Sequence, residues 1–345
     1  MNYGAAAEAR ELPAGVTMMQ MMADKWVSRA ISVAAELGIA DLLANGECST
    51  SELAAASNAH EPSLYRLLRA LASLGVFTEG APRRFALTPL AETLRSDTPG
   101  SVRAMARFTT MPLSWDAWRE LSHPVRTGET GLKRLGIENP FAYLQSHPDE
   151  AALFNQAMTD YSRQSAPAVA EAYDFGGFRK LIDIAGGHGF LLTTILSRYP
   201  GPRGLLFDLP EVIEGAQKTI AQSAEADRCE TASGDFFRSV SAGGDVYMMK
   251  HTIHDWDEDR AAAILRNCRA VMAPDARLLV IEMVIPPGNE PFFGKLLDLE
   301  MLAVAGGRER NAEEFRSLLS AAGFELTGIV LTTAPVSIIE GRPVA

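Results

Sequence analysis

The stretch Leu181-Ile182-Asp183-Ile184-Ala185-Gly186-Gly187-His188-Gly189-Phe190 decides how this chain is read. A short apolar run meets a cluster of glycines, and an apolar-periodic segment, Leu191 to Tyr199, follows at once. That order reads as a buried strand turning sharply into a helix. Glycines at such a turn accept positive φ and let a ligand approach without meeting a Cβ. The helix N-terminus then offers unpaired N–H groups to that ligand. The dinucleotide fingerprint wants a third small residue where the helix packs on the strand. Gly187 and Gly189 are followed by Leu192, so it fails at its last position. The next apolar run, Gly204-Leu205-Leu206-Phe207, ends at Asp208. An acid there can accept hydrogen bonds from both hydroxyls of a ribose. The two features together indicate a bound nucleoside without a pyrophosphate.

Beyond this stretch, strands and helices alternate to the end of the chain. Apolar runs fall at Leu181–Ala185, Gly204–Phe207, Glu230–Ser233, Val246–Lys250, Leu278–Met283, Glu325–Leu331 and Ser337–Glu340. Helical patterns such as Asp259–Met272 and Ala312–Ala322 lie between them. The alternation predicts an α/β domain with a doubly wound, mostly parallel sheet. The last two runs are joined only by Thr332 to Val336, too short for a crossover helix, so they must pair antiparallel or leave the sheet.

Ligands of such sheets bind beyond the carboxyl ends of the strands. Polar groups gather at those ends in order. Asp208 leads into Leu209-Pro210, and Gly234-Asp235-Phe236-Phe237 closes the third run, an acid for an adenine amino group beside an aromatic that can stack on its ring. Lys250-His251-Thr252-Ile253-His254-Asp255-Trp256 closes the fourth run, and Glu282 lies at the end of the fifth. A glycine–aspartate turn alone is common on surfaces. The ordered series of glycine turn, acid, acid and His-Asp is far less so.

The N-terminal part has a different character. Residues 1 to 15 are small and polar-leaning and read as loosely packed. A helix from Val16 to Leu37, stopped at Gly38, carries Met18, Met19, Met21, Met22 and Trp26 over more than one stripe, which suits a subunit interface as well as a core. Ser49 and Glu52 stand at capping-box spacing, and a helix after Pro62 carries Leu64, Leu67, Leu68 and Leu71. Val76–Glu79 and Phe85–Leu87 then form a two-stranded wing. Winged helices can bind DNA, yet the second helix offers only Arg66 and Arg69. Further on, Met111, Trp115, Phe154, Met158 and Met301 are large deformable groups that could line a pocket for a flat apolar substrate, or simply fill a core.

The 345 residues suggest two domains, and 47% hydrophobic with 22% charged residues is ordinary for a globular protein. A formal net charge of −11 argues against general nucleic-acid or anionic-membrane binding. No apolar run nears the roughly 18 residues of a membrane span. Cys48, Cys229 and Cys268 match no metal spacing, so no metal is expected and a cytoplasmic setting with reduced thiols is.

Taken together, Asp183 to Gly189, Asp208-Leu209-Pro210, Gly234 to Phe237, His254-Asp255-Trp256 and Gly307-Arg308-Glu309-Arg310-Asn311-Ala312-Glu313-Glu314-Phe315 resemble a known family. It is that of the S-adenosylmethionine-dependent small-molecule O-methyltransferases, of plant caffeate and bacterial antibiotic-tailoring type. The resemblance covers nearly the whole chain. It implies a Rossmann-like class I methyltransferase domain over residues 98–345, comprising a helical linker 98–175 and a core 176–345. A winged-helix-like dimerisation domain over residues 16–97 would precede it and make a homodimer. By the same resemblance, Gly186, Gly187, Gly189, Asp208, Leu209, Gly234, Asp235, Phe236, Lys250 and Ser162 hold S-adenosylmethionine. His254 becomes the base that takes a proton from an aromatic or polyketide-like hydroxyl, with Asp255, Glu282 and Glu309 around it. Relatives usually carry glycine where this chain has Ala185, a change tolerated unless the position needs positive φ. The rival readings are N-methylation, a relative with non-methylating chemistry, a nicotinamide dehydrogenase and a DNA-binding regulator.

Overall fold

The computed structural model describes residues 12–344, so most of the loosely packed segment expected at residues 1–15 lies outside the described residues. The chain divides into two compact units. One runs to Ser114 and takes in Ala152–Asp160; the other comprises Trp115–Ala151 and the chain from Tyr161 onward.

The first unit opens with the helix Ala14–Glu36, and Gly38 turns the chain out of it at φ +65. Only Ser32, Ala34 and Ala35 of this helix are buried, while Met18, Met19, Met21, Met22 and Trp26 stand exposed. The capping box is formed: the Glu52 amide donates to Ser49 Oγ at 3.2 Å, and the Ser49 amide donates to Glu52 Oε2 at 2.6 Å. The helix Thr50–Ala56 starts there, and Glu61–Ser73 follows with Leu64, Leu68 and Leu71 turned inward. Three short antiparallel strands, β1 (Cys48–Ser49), β2 (Phe77–Glu79) and β3 (Arg84–Leu87), lie in the order β1-β3-β2. Phe77 and Phe85 close the core of this unit, each essentially inaccessible.

The second unit is built on a seven-stranded sheet. Its strands are β4 (Lys180–Ile184), β5 (Arg203–Asp208), β6 (Cys229–Ser233), β7 (Val246–Lys250), β8 (Arg277–Glu282), β9 (Phe324–Leu331) and β10 (Ser337–Pro343). They lie in the order β6-β5-β4-β7-β8-β10-β9. The first five are parallel, and β10 runs antiparallel to both β8 and β9, as the short link between the last two runs requires. Both faces are covered. Ile182, Ile184, Tyr247 and Met249 pack on one side against Leu265 and Cys268, while Leu181, Leu206 and Met248 pack on the other against Leu192 and Ile195. Alternate residues of one strand thus serve two cores, each buried Leu or Ile contributing about 1.5–3 kcal/mol. The chain leaves β4 toward β5 on one side and reaches β7 on the other, and that reversal opens a crevice at the carboxyl ends of the strands.

Candidate active site

The glycine turn leaves β4 in a strained path. Ala185 adopts φ +54, Gly187 +59 and Gly189 +78. Alanine at position 185 therefore occupies the left-handed region, so the condition under which it would be innocuous is not met. A Cβ at position 186 would lie 2.4 Å from Leu206 Cδ1 and 2.5 Å from Asp183 Oδ2, so a larger residue there must displace both side chains. A Cβ on Gly234 would meet the Phe207 ring at 2.5 Å. At Gly187, by contrast, nothing lies within 4 Å of where a Cβ would stand, so the turn is open there.

Asp208 ends β5 directly across from this turn. Its Oδ2 accepts from the Gly187 amide at 2.9 Å and its Oδ1 from the Leu209 amide at 2.7 Å. Burial pushes its carboxyl up to about 6, against the pull of those two amides. Asp235 follows β6, receiving the Phe237 amide at 2.8 Å. Phe236, Phe237 and Trp256 stand edge to face with centroids 4.8 to 6.1 Å apart, and Phe141 packs on Trp256 at 5.5 Å. Beneath the turn, Asp183 is fully buried with neither carboxyl oxygen hydrogen-bonded. Burial raises it to about 7, while burial lowers Lys250 to about 8 against the attraction of Asp183. Ser162 is half-buried on the helix Pro148–Ala172, next to Tyr161, whose ring packs against His251 at 4.9 Å. Open space at Gly187 and the buried Asp183 oxygens that lack a hydrogen-bond donor fit a nucleoside carrying a positive centre, and S-adenosylmethionine is one.

His254 sits on the one-turn 3-10 helix Ile253–Asp255 just past β7, almost fully buried. Its Nδ1 lies 2.6 Å from Glu309 Oε1, and its Nε2 lies 3.7 Å from Asp255 Oδ1. Burial alone would lower its pKa; the charges of Asp255 and Glu309 and the Glu309 hydrogen bond win and hold it up at about 9. Asp255 is raised to about 7 by burial. Glu309 is not a solvated loop charge: it is 3% exposed, and its amide donates to Asp298 Oδ1 at 2.8 Å. Glu282 lies near His254, as expected, and its hydrogen bonds go to the backbone. Its Oε1 accepts the amides of Thr252, Ile253 and His254 at 3.2, 2.7 and 3.0 Å, so this carboxylate hydrogen-bonds the backbone of the turn and acts on the imidazole through its charge. Burial raises its pKa as well.

The candidate pocket residues are divided between the units. Met111 is buried and Phe154 packs edge to face on Phe108 in the first unit, where Met158 also lies half-buried. In the second unit Trp115 is 39% exposed, and buried Met301 begins the π-helical turn Met301–Ala305. Sequence reasoning gave no role to Asp183, His251 or Arg310. An acid inside an apolar strand was the available signal for Asp183. His251 stands out by its left-handed backbone, φ +50, and by two buried ring nitrogens without a hydrogen-bond partner, and Arg310 by its complete burial.

Comparison with known proteins agrees with the fold. Residues 118–325 match the O-methyltransferase domain, and residues 19–97 match the O-methyltransferase dimerisation domain. Phenazine O-methyltransferase PhzM of Lysobacter antibioticus is 46% identical over 97% of this chain and 98% of its own. Phenazine-1-carboxylate N-methyltransferase of Pseudomonas aeruginosa is 32% identical over 96% of each. The solved structure of LaPhzM superposes with a TM-score of 0.94 at 46% identity, covering 96% of this chain and all of the other. Other similar structures were solved with S-adenosylmethionine or S-adenosylhomocysteine bound. The chain therefore belongs to the O-methyltransferase family, with a class I methyltransferase fold on a mostly parallel seven-stranded sheet and an N-terminal helical dimerisation domain.

Proposed function

We propose that this enzyme methylates a hydroxyl of an aromatic or polyketide-like small molecule, with His254 as general base. The carrying observation is the buried pair of His254 Nδ1 and Glu309 Oε1 at 2.6 Å. A carboxylate on Nδ1 fixes the ring and its tautomer and stabilises the imidazolium once Nε2 has taken a proton. A hydroxyl acceptor needs that proton removed, whereas an amine nitrogen is already a nucleophile.

S-adenosylmethionine, the methyl donor of this family, supplies an electrophilic methyl group when bound. The chain's own residues do the rest. Gly186, Gly187 and Gly189 would let the donor lie against open backbone, Asp208 would accept from its ribose, and Asp235 with Phe236 would take the adenine. Lys250 and Asp183 would set the charge beneath the turn. Alignment of acceptor and donor contributes several kcal/mol in well-oriented systems. The acceptor's proton passes to His254 Nε2, and Glu309 balances the charge that results. The exposed methionine face of the N-terminal helix supports assembly as a homodimer.

Incubation with S-adenosylmethionine and a panel of phenols and aryl amines tests the reading. A product heavier by one methyl in place of hydrogen, located on oxygen by NMR, is expected from the phenols. The second reading, N-methylation, draws on the similarity to the phenazine N-methyltransferase. It requires methyl on nitrogen and a His254→Ala variant that works as well as the wild type.

A further inference from the structure

The loop after the π-helical turn grips the turn that bears His254. Gly307 comes so close that a Cβ would lie 2.0 Å from the His254 carbonyl oxygen. The Arg308 amide donates to that same oxygen at 2.8 Å, and Glu309 reaches the ring. Arg310 comes next, and it has no exposed surface. Its Nη1 donates to the Ile253 carbonyl at 3.3 Å and its Nη2 to the Trp256 carbonyl at 3.2 Å. Those two carbonyls bracket His254 and Asp255. Nη1 also reaches the Arg308 carbonyl at 3.3 Å, and Nε pairs with Glu258 at 3.0 Å. Its own carbonyl accepts the Ile285 amide at 3.0 Å, which ties the loop to the chain leaving β8.

A guanidinium buried with one half-exposed carboxylate as ion-pair partner is expensive unless hydrogen bonds offset its lost hydration, and here the carbonyls of Ile253, Trp256 and Arg308 supply them. The turn has two sets of backbone groups to satisfy. Glu282 holds its amides and Arg310 holds its carbonyls. The planar fork of arginine spans two carbonyls where a lysine ammonium, a point charge, cannot hold the same geometry.

We propose that Arg310 is a positioning residue for the base, locking the 253–256 turn to the loop so that His254 Nδ1 meets Glu309. This rests on the reading of His254 as base, but its geometric half can be measured without turnover. The groups facing the imidazole are Asp255 on its own turn, Glu309 on the loop, Glu282 at the end of β8 and the His251 ring 5.1 Å away. If Arg310 only contributed charge, removing it would raise the titration midpoint of His254. If it holds the ring against Glu309, removing it lowers that midpoint.

The experiment is an NMR titration of the full chain, labelled in its histidine rings and saturated with S-adenosylhomocysteine, with the His254 signal assigned as the one missing in His254→Gln. Arg310→Met should lower the midpoint by about one pH unit or more, and Arg310→Lys by less. An unchanged or raised midpoint in Arg310→Met overturns the proposal. Should that variant not fold, Arg310→Lys decides, because it keeps the charge and lacks the fork: a wild-type midpoint overturns the proposal. Turnover separates the other half. Combining Arg310→Met with His254→Ala should be no slower than His254→Ala alone, since both remove one function. Undiminished methyl transfer by His254→Ala would instead sink the base assignment, and with it the catalytic sense of the latch, whatever the titration gives.

Discussion

A histidine that acts as base must be neutral when the acceptor arrives, and His254 is held at about 9. At pH 7 only about 1% of it is then neutral, yet the neutral form is a strong base. An ordinary phenol titrates near 10, so proton transfer to His254 is uphill by about 1.4 kcal/mol, against about 5 kcal/mol for an imidazole near 6.5. The site gives up population and gains basicity. It follows that kcat/KM should rise about tenfold per pH unit from 7 and level off near 9, because the active form is the deprotonated one. Glu309→Gln removes the charge that raises the pKa and leaves only a neutral amide oxygen to accept, so its plateau should begin nearer neutrality and lie lower. A wild-type profile flat between 7 and 9 would contradict this. Asp208 makes a second case. Its charge-assisted hydrogen bonds are worth about 1.5–3 kcal/mol each, so Asp208→Ala should weaken S-adenosylhomocysteine binding at least tenfold by calorimetry. The same carboxylate holds the Gly187 and Leu209 amides, so the loss includes disorder in the glycine turn.

At the scale of elements, the strand–turn–helix around the glycines was legible because period and turn chemistry agree there. Every run from Leu181 to Glu340 became a strand of the sheet, and the capping box at Ser49 formed as spaced. Roles set by contacts between distant segments were not legible. Nothing local says that Glu282 faces backbone amides 28 to 30 residues away, or that Arg310, just after Arg308 and Glu309, is fully buried. The conformation of Ala185 was equally hidden, since φ at a turn depends on what the turn must pass over. It carries a consequence: a left-handed alanine costs about 1 kcal/mol against glycine. Ala185→Gly should therefore raise Tm by about 1–3 °C in a calorimetric scan with donor binding retained. A lowered Tm would mean that alanine's restriction of the unfolded chain outweighs the strain.

For the whole molecule, the open question is what covers the first helix. Met18, Met19, Met21, Met22 and Trp26 are 57 to 69% exposed, and together they form a band of large apolar groups along Ala14–Glu36. Such a band on an isolated chain invites association, and methionine adapts its shape to whatever covers it. The match of residues 19–97 to a dimerisation domain points to a second copy as the cover. Fully burying a Met side chain is worth about 1.5–3 kcal/mol, and the same band repeated on two chains multiplies that gain. Charges placed there should reverse the preference. Met22→Asp combined with Trp26→Asp should give a folded monomer in sedimentation, because neither side chain contributes to the chain's own core. Deleting residues 1–40 is harsher: it strips Ala34, Ile39 and Ala40 from the core of the first unit, so aggregation is expected. A full-length wild-type chain that sediments as a monomer at micromolar concentration would refute the dimer and leave the methionine band without its partner.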